Sequence, residues 1–376
     1  MIYLDNASAG IIAEKTLSTI IRYLEFEKKH GVRLASKKYE MEILQFYIDV
    51  KELIGADSVD EIAFVDSSSR AINLIVNAYN IQKDDRILTL SSEFGTTLLA
   101  LANCANRVGA EVEILPCQLD GTFSFDEFEK RLQGGVNWVV VSHVSAQGSI
   151  LNPVEQIGQL AIKYGAHYIV DGCQAAGQVS INVKNINCDA YISSGRKWLC
   201  GPRGTGFMYI NQKSNLISPL LDVASSTFVF DSGVSKIEIT NTAKRFELWE
   251  RNVASMIGLA QAIENWLEFG YIGVKNILSK NSNNIRNTIC KNKKLLLVGK
   301  MESVLGTVGF LCRHQGDEIK LRRCLENRDI QISYLKKWEC PMFLEHTDSR
   351  LIFRISPHYF TSEDAINIIC NIISEF

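Results

Sequence analysis

Of the chain's 376 residues, 46% are hydrophobic and 22% charged, and the formal net charge is -2. That balance is ordinary for a globular protein and lacks the basic excess that nucleic-acid backbones select, so nucleic acid is not an expected partner. The length exceeds what one core sustains and predicts a large domain with a smaller one.

The first residues, Met1-Ile2-Tyr3-Leu4-Asp5-Asn6, lack the positive region and the sustained apolar run of a leader. No segment reaches the roughly 18 consecutive apolar residues that a membrane span needs. A cytoplasmic protein with no membrane partner is therefore expected. Ten cysteines are scattered without a C-x-x-C pair, and six histidines show no ligand spacing, so no metal site is expected.

A helix over 12–29 opens the chain. From residue 60 to 210 short apolar runs then alternate with helical periodicity, the pattern of a mostly parallel sheet wrapped by helices. Seven strands are predicted: Glu61–Val65, Arg86–Leu90, Val112–Leu115, Trp138–Ser142, His167–Val170, Ala190–Ser193 and Phe207–Ile210. Ser124-Phe125-Asp126-Glu127 has capping-box spacing ahead of Phe128 and Leu132. Asn152-Pro153-Val154-Glu155 predicts a capping asparagine with proline at the first helical position, and Val154, Ile157, Leu160, Ala161 and Tyr164 form the stripe that follows. Beyond about 255 the pattern changes to helices over Val253–Phe269 and 275–293, strands Leu295–Val298, Thr307–Leu311 and Leu351–Ile355, and a last helix from near Thr361. The expected fold class is α/β: a large domain over 30–255, and a smaller α+β domain from 1–29 and 256–376.

Open α/β sheets bind ligands beyond the carboxyl ends of their strands, and three segments place chemistry there. In His167-Tyr168-Ile169-Val170-Asp171-Gly172 a carboxylate ends a buried run, where it is costly without a cationic partner. A protonated ring nitrogen would supply one and would keep that ring an electron sink. A turn or cap role for Asp171 is the alternative. In Ser193-Ser194-Gly195-Arg196-Lys197-Trp198 a lysine sits among hydroxyls, glycines and arginines. Desolvation and neighbouring positive charge both lower an amine's pKa, which suits a lysine that forms an imine near a bound phosphate. In Asp66-Ser67-Ser68-Ser69-Arg70 a serine run precedes an amphipathic helix. Taken by itself the run favours capping over anion binding.

Together, in this order and spacing, these segments resemble the class V aminotransferase family, which includes cysteine desulfurases, kynureninase and isopenicillin-epimerase-like enzymes. The resemblance is carried by Val170-Asp171-Gly172-Cys173-Gln174, by Gly195-Arg196-Lys197 running into Gly201-Pro202-Arg203-Gly204-Thr205-Gly206, by Arg245-Phe246-Glu247 with Asn252, and by Phe353-Arg354-Ile355-Ser356-Pro357-His358-Tyr359. It implies a fold-type I transferase that uses pyridoxal 5'-phosphate. Lys197 would be the Schiff-base lysine, Asp171 the partner of the ring nitrogen and Gln174 that of the phenolic oxygen. Ser68, Ser69, Ser194 and Arg196 would meet the phosphate. Phe94 falls near the ring-stacking position, with a core role as the alternative. Arg354 corresponds to the arginine that clamps the substrate α-carboxylate, a task its planar fork suits. A homodimer is implied, with Glu250, Arg251 or Asn252 reaching the partner's cofactor.

Two departures matter. Desulfurases carry a loop cysteine in an R-x-G-x-x-C-like context, which Ile332-Ser333-Tyr334-Leu335-Lys336-Lys337-Trp338-Glu339-Cys340 lacks. Ala146 replaces an asparagine common near the cofactor, and Gln147 is the expected substitute in substrate binding. The segments 246–252, 195–204 and 357–360 most resemble ergothioneine-type C–S lyases and lincosamide-type enzymes that process cysteine conjugates. The expected reaction is therefore C–S β-elimination on a cysteine S-conjugate. Aminotransferase, desulfurase or epimerase chemistry are the alternatives within the family, and an inactive binding protein of the same fold lies outside them. A nicotinamide dehydrogenase would need a glycine-rich turn after its first strand, which is missing.

Overall fold

The computed structural model describes residues 1–214, 216–231, 234–344 and 349–376. Its largest sheet has seven strands in the spatial order Ile62–Val65, Gly206–Ile210, Ala190–Ser194, His167–Asp171, Trp138–Ser142, Arg86–Leu90 and Glu111–Leu115. Only Gly206–Ile210 runs against its neighbours. All seven predicted strands form; the inner ones carry apolar runs covered on both faces, while the edge strand Glu111–Leu115 is only partly buried. Val139, Val141, Val170 and Tyr191 enter one core, while Val140, Ile169, Ala190 and Ile192, one residue out of phase, enter the other.

Five of the parallel strands hand the chain to polar residues at the same edge of the sheet: Asp66, Ser91, His143, Asp171 and Ser194 follow or end them. Gly172 turns away from that edge against the Tyr191 ring, which a β-carbon there would approach to 2.1 Å. Ser124 caps its helix as expected, accepting the Glu127 N–H at 3.1 Å. Asn152 does not cap. Its helix, Val154–Tyr164, has Pro153 at the N-cap, and Asn152 instead donates Nδ2–H to the Ser142 carbonyl at 2.7 Å. The strand's terminal carbonyl is buried and needs that donor more than an exposed helix end does.

The second sheet is antiparallel and four-stranded, in the order Leu295–Val298, Val308–Cys312, Leu351–Ile355 and Ser333–Lys336. Ile285, Ile289, Leu321, Leu325, Ile366 and Ile369 of three helices pack with it. Ile2–Tyr3 pairs with Ile330–Gln331 and brings Leu4 into this core. The helix Glu14–His30 packs on Val253–Phe269 and Val32–Lys38. Met256, Leu259 and Ile263 of Val253–Phe269 join the core of the large sheet, since that helix is apolar around most of its circumference.

The strands Ser226–Asp231 and Val234–Ile239 form a two-stranded antiparallel pair that the sequence did not announce. Phe228 stands opposite Ile237, and both are exposed, as is Phe230 on the same face.

Candidate active site

The polar ends of the parallel strands surround a cavity of about 180 Å³. Its wall includes Ser68, Ser69, Phe94, Asp171, Gln174, Arg196, Lys197 and Arg354, so eight of the ten residues singled out in the sequence meet here from segments nearly 300 positions apart. Ser194 and Gln147 do not line it.

Asp171 is held at both ends of its residue. Its carbonyl accepts the His143 N–H at 2.8 Å, and its Oδ1 accepts the Cys173 N–H at 2.8 Å. His143 is kept neutral by burial, which pushes its pKa down to about 4, and its Nδ1 meets the Tyr191 hydroxyl at 3.0 Å. One strand away, Glu93 is fully buried, its two oxygens taken by the Ser142 N–H and hydroxyl at 2.6 Å each. Burial raises its pKa to about 8, with Asp171 adding to the rise. Of Asp171, His143 and Glu93, it is Asp171 that lines the cavity wall.

Lys197 lies in a loop that begins as strand Ala190–Ser194 ends. Gly195 donates to the Thr205 carbonyl at 2.9 Å, Gly201 to that of Gly195 at 2.9 Å, and Cys200 to that of Lys197 at 3.0 Å. His358 pins the next peptide: its Nδ1 accepts the Tyr359 N–H at 3.0 Å, which leaves Nε2–H to donate to the Trp198 carbonyl at 3.0 Å. Burial lowers the Lys197 pKa from its usual value, and the charges of Arg196 and Arg354 act in the same direction, against Cys173 and Asp171. The shift favours the uncharged amine relative to a solvated lysine.

Ser67, and not its neighbours, caps the helix Ser68–Ala78, accepting the Arg70 N–H at 3.2 Å. Ser68 and Ser69 are left in its first turn facing the cavity, so the serine run serves capping and wall at different positions. Ser194 Oγ is buried and has no hydrogen-bond partner among the described residues. Gln174 donates from Nε2 to the Ala7 carbonyl at 3.0 Å and accepts from Trp198 Nε1 at 2.8 Å, which leaves one amide N–H uncommitted to protein.

Arg354 is buried and gives Nε–H to Ser333 Oγ at 2.8 Å, Nη1–H to the Ala146 carbonyl at 3.0 Å and Nη2–H to Ser8 Oγ at 2.7 Å. Each terminal nitrogen keeps one N–H outside these hydrogen bonds, with Asp5 Oδ1 3.8 Å from Nη2. Gln147, the expected substitute for the missing asparagine, is placed elsewhere. Its amide is consumed by the buried Ser145 hydroxyl and the Glu93 carbonyl, and the backbone carbonyl of Ala146 takes the place beside Arg354.

Several wall residues had no local signal. Ala7 and Ser8 arrive because Ser356 clamps the N-terminal segment, accepting the Ala7 N–H at 3.0 Å, and Arg196 donates to the Ser8 carbonyl. Cys173, Arg203 and Glu339 also line the cavity. The Arg245-Phe246-Glu247 motif proves structural. Arg245 donates to the carbonyls of Leu216, Asn241 and Thr242, while Glu247 accepts from Tyr47, the Phe64 N–H and Arg251. Asn252 caps the helix Val253–Phe269, and Glu250 is exposed.

A family model, aminotransferase class-V, matches residues 2–368. The chain belongs to the aminotransferase class-V family. Class V enzymes depend on pyridoxal phosphate, and the fold described above is their fold-type I architecture. Among curated class V relatives, a probable cysteine desulfurase of Pyrococcus abyssi is 28% identical over 278 residues, 70% of this chain and 66% of that protein. A probable cysteine desulfurase of Halalkalibacterium halodurans is 31% identical over 219 residues, 56% of this chain and 53% of that protein. The match therefore spans about two thirds of these relatives' length or less. An apo cysteine desulfurase from Thermococcus onnurineus superposes with a TM-score of 0.86 at 23% identity, covering 100% of this chain and 94% of that one. The cystine C–S lyase C-DES, as complexed with its product cysteine persulfide, gives 0.87 at 19%, with 100% and 97% covered.

Proposed function

We propose that this class V chain is a pyridoxal-phosphate-dependent C–S β-lyase acting on a cysteine S-conjugate. The observation that carries the choice is where the thiols lie. All ten cysteines fall in the described residues, and only Cys173 lines the cavity, its N–H on Asp171 at the ring-nitrogen end. Cys340, the residue nearest a desulfurase position in sequence, is buried among Ile150, Val298, Phe343 and Leu344. Its thiol donates to the Lys336 carbonyl at 3.3 Å, and burial raises its pKa to about 12. A desulfurase passes sulfur to a nucleophilic thiolate of its own, and no such group is offered at the Arg354 end. The desulfurase reading is favoured by the names of the relatives and remains the second reading.

The wall residues fit the cofactor. The orphaned Ser194 hydroxyl and the exposed first turn of Ser68–Ala78, with Ser68, Ser69 and Arg196, suit a phosphate. Asp171 would hold the ring nitrogen, Gln174 the phenolic oxygen, Phe94 a ring face, and Lys197 Nζ the carbonyl carbon. When bound, the group supplies an electron sink for the pair left at the substrate Cα. Arg354 binds the α-carboxylate with its two remaining N–H groups and so orients the Cα–H bond. Lys197, whose Nζ would hold the cofactor, would take the Cα proton as general base, for which its lowered pKa suits it. Departure of sulfur from Cβ, followed by hydrolysis, yields pyruvate and ammonia.

Purified holoenzyme given a panel of cysteine S-conjugates and free amino acids is expected to release pyruvate together with the thiol or sulfide. Alanine with sulfide would replace this reading with desulfuration, and conversion of the cofactor to its amine form without pyruvate would replace it with transamination.

The proposal includes a homodimer. It is supported by the apolar face of Phe228, Phe230 and Ile237 and by Trp249, 72% exposed, which a lone chain leaves in water. Glu250, next to Trp249 in sequence, is exposed and would be the residue to reach a partner's cavity. Sedimentation is expected to give twice the chain mass, and a fully active monomer would rule the dimer out.

A further inference from the structure

One part of the cavity wall is built by a segment to which the reaction assigns no task. The strand Ser333–Lys336 ends in a turn in which the Glu339 N–H donates to the Lys336 carbonyl at 2.9 Å and Glu339 Oε2 accepts the Lys336 N–H at 3.0 Å. This turn docks on the start of the helix Gly95–Val108, where Gly95 donates to the Glu339 carbonyl at 2.7 Å. Only glycine allows the approach, since a β-carbon at Gly95 would lie 2.4 Å from the Trp338 carbonyl oxygen. The docking sets Glu339 into the wall with Leu335, Thr96 and Arg354, while Cys340 turns into the apolar core behind.

Glu339 is out of place among its neighbours. The wall carries four cationic side chains, Lys197, Arg196, Arg203 and Arg354, and one other carboxylate, Asp171, which the ring nitrogen would engage. One oxygen of Glu339 holds the turn, and the carboxylate makes no ion pair among the described residues. A side chain chosen only to close that turn could be neutral, because an amide oxygen accepts the Lys336 N–H equally well. A negative charge here repels one class of substrate and attracts another.

We propose that Glu339 determines specificity by selecting amino acids whose β-sulfur substituent ends in a positive charge, an ammonium in the simplest case, over those ending in a carboxylate. This rests on the reading of the cavity as an amino-acid site with Arg354 at the α-carboxylate. Arg354 satisfies the carboxylate every amino acid has, and Glu339 then reads what lies beyond sulfur.

The test uses holoenzyme and three probes of similar length: S-(2-aminoethyl)-cysteine, S-ethylcysteine and S-carboxymethylcysteine. Binding is read as the change in cofactor absorption on addition, and turnover separately as pyruvate. Wild type is expected to bind the aminoethyl probe at least about tenfold more tightly than the carboxymethyl probe, the order of effect of one partly screened charge pair. Glu339→Gln, which keeps the oxygen that holds the turn, should bring the two within about threefold of each other, and Glu339→Lys should invert the order. The same preference in wild type and Glu339→Gln, or no preference in wild type, overturns the proposal. Charge discrimination in binding without pyruvate would leave the specificity standing and sink the lyase reading, whereas pyruvate without discrimination would do the reverse. Failure of all three probes to bind would overturn both.

Discussion

Lys197→Ala is expected to lower turnover by about 10⁴-fold, because one substitution removes both the covalent tether of the cofactor and the base that takes the Cα proton. Phosphate contacts from Ser68, Ser69, Arg196 and the first turn of Ser68–Ala78 do not depend on Lys197, so the variant should still bind cofactor without the covalent bond. Two measurements separate these effects. Reduction with borohydride followed by peptide mass analysis should place the cofactor on residue 197 in wild type and on no residue in the variant. The visible absorption of the variant should be that of free aldehyde, not of the lysine adduct. The pH response follows from the direction of the Lys197 shift. Its pKa is lowered by burial and by Arg196 and Arg354, so the uncharged amine is present further toward neutral pH than for a solvated lysine. An unchanged spectrum in Lys197→Ala would remove Lys197 from the site altogether.

Much of this was legible because the large sheet is buried on both sides. A strand covered twice must be apolar at consecutive positions, and the first polar residue after the run, Asp171 or Ser193, then marks the edge where ligands bind. The same logic fails where apolar residues face out. Phe228, Phe230 and Ile237 obey strand alternation, yet their pair joins neither larger sheet, so no second element confirmed it. Ser333–Lys336 starts on serine and ends on lysine and offers no apolar run to register, and with that strand went the turn carrying Glu339. Asn152 and Gln147 misled for a common reason. Each side chain is spent on a buried backbone carbonyl, of Ser142 or Glu93, that becomes solvent-free only after distant strands assemble. Ser8 reaches Arg354 because Ser356, almost 350 residues away, and Arg196 hold the N-terminal segment, and local pattern cannot encode such a contact.

Arg354→Ala is expected to raise KM for amino-acid substrates by about 100-fold while changing kcat much less, since the α-carboxylate contact is made equally in the bound substrate and the transition state. The side chain also ties Ser333, Ala146 and Ser8 together, so loss of activity alone would not separate clamping from scaffolding. Comparison of each amino acid with the amine lacking its carboxyl group does separate them. Wild type should favour the amino acid strongly, and the variant should nearly abolish that preference, whereas a general loosening of the site would weaken both ligands together. Arg354→Lys offers the second control. It keeps the positive charge but loses the fork that holds Ser8 and Ala146 while presenting two parallel N–H groups, so part of the preference should return without full affinity. If the amino acid and the amine keep their wild-type ratio in Arg354→Ala, then Arg354 does not hold the carboxylate, and the remaining N–H groups on its terminal nitrogens face some other part of the ligand.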